Sequence, residues 1–239
     1  MKSHPTKPLA SARFRGNPGR AAHRCASLLV GVLALVTLSA CAGLHPDTAA
    51  TVGDETIPSS EVDDVTRISC DLGGSAPQAR SAVMRDIVNA MVTTRVDTQY
   101  AESVGATYDK NQLQQRVQQL EDSLTKLSDT DRDTYVQVVS DFLRSQLLLA
   151  DVGAKSLKKK GTAKPGVDES VNEGSRLSAA WAKKNIDVEI DPRYNPGTSG
   201  QAGGGDGSIS RPVSPYAKSA SGDAQQDFVA ALPTELRCG

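Results

Sequence analysis

The sequence predicts a mainly α fold, a bundle of about five helices with short strands near 51–57 and 186–190. Three observations predict it. Apolar residues return every three or four positions through most of residues 60–185. Capping and breaking residues divide that stretch near Gly73, Gly105, Ser128 and Gly161. Alternation of apolar and polar residues is confined to the two short flanking segments.

In chain order, Ala50–Pro58 reads as a short strand, a Gly53-Asp54 turn and a second extended piece. Pro58-Ser59-Ser60-Glu61 opens the first helix, with serines placed to cap it and Glu61 favoured near its positive end. Val62, Val65, Ile68 and Leu72 follow at helical spacing, and Gly73-Gly74 end the run. The second helix is expected from about Pro77 to Val104. There Val83, Ile87 and Met91 form a stripe beside Val88, Val92, Val96, Tyr100 and Val104. Gly105 stops it. Asp109 caps a third helix, whose Leu113, Val117, Leu120, Leu124 and Leu127 form the seam of a helix hairpin or short coiled coil.

Ser128-Asp129-Thr130-Asp131 is a second capping box. It starts a fourth helix bearing Tyr135, Val138, Val139, Phe142, Leu143, Leu147 and Leu149. Lys158–Lys160 suit the carbonyl end of that helix as a solvated run rather than a partner site. After a break at Gly161–Gly166, a fifth helix around Asp168–Asn185 carries Leu177 and Trp181 and passes into a strand at Ile186–Ile190. Residues 195–212 are Gly-rich, lack the means to bury a core and form a disordered linker. The tail, 213–239, holds one short amphipathic helix near Asp223–Leu232.

Ahead of this body, residues 1–40 carry six basic side chains and no Asp or Glu. The apolar run Ala26–Leu38, at about a dozen residues, is short against the roughly twenty needed to span a bilayer. That layout is a secretory signal. Its exit, Leu38-Ser39-Ala40-Cys41, resembles the lipobox of bacterial lipoproteins, which implies cleavage before Cys41 and a diacylglyceryl group on its sulfur. Two acyl chains give lasting attachment where one gives only marginal binding. The expected organisation is therefore a signal peptide at 1–40, a tether at 41–49 and a helical domain at 50–194. Its expected place is the extracytoplasmic face of a cell membrane, with the leaflet left open.

Beyond residue 40 there are 21 Lys plus Arg against 28 Asp plus Glu, a formal charge of −7. Phosphate binding needs a basic surface, so nucleic acid is not an expected partner. His4 and His23 leave with the signal and His45 lies in the tether, which removes most triad chemistry and histidine zinc sites from the body. No catalytic, metal or cofactor constellation is expected. Cys25 leaves with the signal and Cys41 takes lipid. Cys70 and Cys238 are then expected to pair, in preference to two free thiols or an intermolecular bond, because thiols in an oxidising compartment oxidise.

The segment Val52-Gly53-Asp54-Glu55-Thr56-Ile57, then Pro58-Ser59-Ser60-Glu61 and a helix, resembles the N-terminal chaperone domain of the SurA and PrsA family, with the trigger factor substrate-binding domain more distant. Ser178–Asn185 and Val188–Tyr194 resemble that family's returning helix and strand, so the likeness covers about residues 50–194. It implies a small sheet joining 51–57 to 186–190. It also implies a non-catalytic holdase for unfolded or partly folded exported polypeptides. A parvulin isomerase domain is absent: only Gly161–Glu173 stands where it would be inserted, and no histidine is left to line its pocket. The candidate client groove is Met84, Met91, Phe142 and Leu147, each competing with ordinary core packing. The alternative is a structural or adaptor lipoprotein that binds one specific envelope partner.

Overall fold

Strand β1 (Thr48–Val52) turns through Gly53 into β2 (Glu55–Pro58). Gly53 has φ +59°, a left-handed conformation in which a side chain is strained, so glycine is the residue that lets this hairpin close. These belong to a computed structural model that describes residues 47–73, 76–194 and 226–239. The signal segment 1–40, Cys41 with the tether up to residue 46, Gly74 and the linker 195–212 lie outside the described residues. The body itself starts at Thr48, two residues earlier than expected, because Thr48 and Ala49 are already buried strand residues.

Among the described residues six α-helices follow: α1 (Ser59–Leu72), α2 (Arg80–Ser103), α3 (Lys110–Ser123), α4 (Asp129–Lys159), α5 (Val167–Asn185) and the short α6 (Gln226–Ala230). The chain is mainly α. The first sheet has the order β2-β1-β4, all antiparallel, with β4 (Val188–Ile190) beside the first strand in the register Ala50↔Ile190 and Val52↔Val188. Gly53 N–H donates to Asp187 O at 2.9 Å and Asp191 N–H to Ala49 O at 2.8 Å, extending the ladder at both ends. The returning segment thus closes onto the opening strand, as expected.

The first core gathers Ala50, Val52 and Ile57 of the sheet with Val62, Val88, Val92 and Tyr194. Gln99 ties α2 to the hairpin, its amide nitrogen donating to Val52 O at 3.1 Å and Glu55 Oε1 at 2.8 Å. A second core holds Tyr100, Ala101, Leu148, Leu149 and Val152, with Tyr100 and Trp181 rings 5.6 Å apart. Between α4 and α5 the backbones run very close. A Cβ added at Gly153 would overlap the Ser170 carbonyl, and one at Gly174 the Leu149 carbonyl. Glycine is required there by proximity rather than by φ.

Several expectations change in detail. The serines do not cap α1: Pro58 holds the N-cap position, no side-chain cap bond forms, and Ser59 Oγ is buried without a partner. Asp109 does cap α3, accepting from Asn111 and Gln112, and Ser128 caps α4 through Asp131 N–H. The α3 seam is shallow. None of that helix is fully buried, and Leu124, just past its end, goes deepest at 5% exposed. Val104 leaves the α2 stripe at the helix end and is 51% exposed. A second sheet, unanticipated, pairs β3 (Gln78–Ala79) with β5 (Arg237–Cys238) and returns the C-terminus to the start of α2.

Candidate functional site

Helices α1, α2 and α4 meet around a cleft of about 240 Å³. Its lining is apolar, from Val65, Ile87, Met91, Val138 and Phe142. The helical periodicity of α2 and α4 sets this face. Met91 forms its floor at 5% exposed, whereas Phe142 stands at its edge with 44% of its surface exposed.

Three charged side chains share the lining: Glu61, Arg95 and Asp141. Arg95 is divided between two acids, its Nε 3.4 Å from Glu55 and its Nη1 3.7 Å from Asp141. Glu61 is half-buried and makes no hydrogen bond or ion pair among the described residues. Burial pushes its carboxyl above the usual range, the Arg95 charge opposes this, and the Asp141 charge adds to it. The cleft is therefore a greasy surface with more negative than positive charge.

A larger and more polar cleft, about 680 Å³, lies among the start of α3, the middle of α4 and the start of α5. Phe142 lines this one as well, and Leu147 contributes to its wall while being 9% exposed. Of the four groove residues expected from the sequence, Met91 and Phe142 come together in the first cleft, and Phe142 and Leu147 in the second. Met84 lines neither and packs half-buried against the first core. Glu61, Arg95, Asp141 and Tyr135 were not foreseen as lining. One signal was present: Asp141 directly precedes the apolar Phe142-Leu143 pair on α4.

Cys70 and Cys238 stand at disulfide distance, with Cα atoms 4.5 Å apart and a sequence separation of 168. That junction joins the end of α1 to β5. Among the described residues no group of three or more His, Cys, Asp and Glu side chains is arranged to hold a metal ion. No described helix is long and apolar enough to cross a membrane.

No protein-family model, curated protein or solved structure matches the chain.

Proposed function

We propose that the protein is a membrane-anchored extracytoplasmic lipoprotein that holds unfolded or partly folded exported polypeptides without catalysing their rearrangement. The observation that carries this reading is the cleft between α1, α2 and α4, which keeps apolar side chains, Phe142 above all, facing outward where a client segment can cover them. Burying a large apolar side chain releases about 1.5–3 kcal/mol, so an exposed phenylalanine in a concave apolar setting favours a partner. Support comes also from the lipobox-like Leu38–Cys41, which gives the lipid on Cys41 and the membrane attachment, and from the SurA-like opening and returning segments. The Cys70–Cys238 pair is oxidised in this setting, as befits an exported chain.

The test is suppression of aggregation. The full chain should keep several unrelated, chemically unfolded proteins in solution, and Phe142→Ser should weaken this several-fold while leaving the helical circular dichroism unchanged. If every client precipitates alike with and without the protein, the holdase reading is wrong and the adaptor for one envelope partner takes its place. Catalysis in a prolyl-peptide isomerisation assay would overturn the non-catalytic part.

A further inference from the structure

We infer that the cleft between α1, α2 and α4 selects client segments by taking a lysine side chain, its ammonium meeting Glu61 and Asp141 and its aliphatic stem lying along Met91, Val138 and Phe142. This rests on the client-binding reading above and adds to it the chemistry of the segment held.

Size is the first argument. Small-molecule pockets run from roughly 300 to 1,000 Å³, and this cleft at about 240 Å³ is sized for one or two side chains rather than a whole ligand. Charge is the second. The cleft holds Glu61 and Asp141 against one cation, Arg95, which Glu55 also claims. Glu61 is half-buried beside apolar walls, where an ionised carboxylate is costly unless a cation balances it, and the Arg95 charge that acts on it is shared with Glu55 and Asp141. A cation arriving from outside would complete the set. Shape is the third. The apolar floor and the carboxylates belong to one cleft, so the occupant must be greasy along its length and charged at its tip. Lysine has that form, a flexible four-carbon stem ending in a compact charge. Arginine's planar fork suits a single carboxylate gripped by two nitrogens, whereas here two carboxylates come from different helices. The exposed ring of Phe142 adds a modest attraction for the cation. The formal charge of −7 beyond residue 40 draws basic segments in the same sense.

The experiment uses the full chain at low salt and two octapeptides, identical except for lysine or norleucine at the centre, titrated by calorimetry. The lysine peptide should bind about tenfold more tightly, the usual order for one charge-assisted contact in a partly buried setting. Glu61→Gln and Asp141→Asn should each erase most of that preference without weakening the norleucine peptide. Arg95→Met, which removes the competing internal cation, should increase the preference. Equal binding of the two peptides, unaffected by Glu61→Gln, would overturn lysine selection and leave the client-binding reading standing. No binding of either peptide, with the fold intact by circular dichroism, would overturn both.

Discussion

Asp97 lies on α2 with 4% of its surface exposed, and Ser178 of α5 beside it is fully buried. Ser178 Oγ has no partner in hydrogen-bond geometry, yet it is near enough to oppose the shift in Asp97 that burial causes. Burial dominates and raises that carboxyl from the usual 3.8 to about 6. The sign follows directly. An acid whose folded value lies above its unfolded one favours the folded state when protonated, so stability from this group is present at low pH and is lost as pH rises through about 6. The protein should unfold at higher denaturant near pH 5 than near pH 7.5, by on the order of 1 kcal/mol. Asp97→Asn should remove most of that difference and raise stability near pH 7.5. A flat urea-midpoint profile for the native sequence between these values would refute the assignment. Nothing in the α2 pattern marks this aspartate. An acid on an exposed stripe and one turned toward a later helix read alike until α5 is in place.

At the scale of elements, the α4–α5 pair depends on absent side chains. Gly153 and Gly174 each face a backbone carbonyl of the opposite helix, and a carbonyl cannot step aside as a flexible side chain can. Gly153→Ala and Gly174→Ala should each destabilise by about 3 kcal/mol, because overpacking here separates two whole helices. On an isolated helix the same change would stabilise by up to about 1 kcal/mol, so chemical denaturation gives the two accounts opposite signs. The ends of this pair are held by Glu173, which accepts from Ser156 at 2.8 Å and Lys160 at 2.6 Å and pairs with Arg176. These bonds, Arg176 first, hold its carboxyl far below the ordinary range. Helix positions were legible from Val62, Val88, Leu149 and their periodic neighbours, and from the caps Asp109 and Ser128. Cap chemistry at α1 was not. Pro58 takes the N-cap position there, so Ser59 and Ser60 already lie inside the first turn, too late to cap it.

For the molecule as a whole, the chain was legible as a sequence of elements, but its second closure was not. Gln78–Ala79 and Arg237–Cys238 are two-residue strands, too short to show alternation, and only the cysteines hinted that the tail comes back. Val229, 4% exposed on α6, shows that the tail packs as well as tethers. The candidate cleft was half legible for a related reason. Hydrophobic spacing finds Met91 and Phe142, while the acids beside them become a site only when α1 lies next to α4. Cys238→Ser should therefore lower thermal stability markedly, since closing so long a loop is worth about 5 kcal/mol in the chain-entropy model. It should also free residues 226–239 to rapid hydrogen exchange while α2 and β1 stay protected. Equal protection of that tail in both forms would show that packing alone secures it.

The first strand of the body is the middle strand of its sheet, bonded on one side to its immediate successor and on the other to the last strand before residue 195. Loop-closure entropy makes so distant a pairing late, after the local helices have formed. A chain emerging N-terminus first therefore carries one raw edge of β1 until Val188–Ile190 have followed it out. For that interval the sheet is half made, and its closure waits on the arrival of α5 and β4.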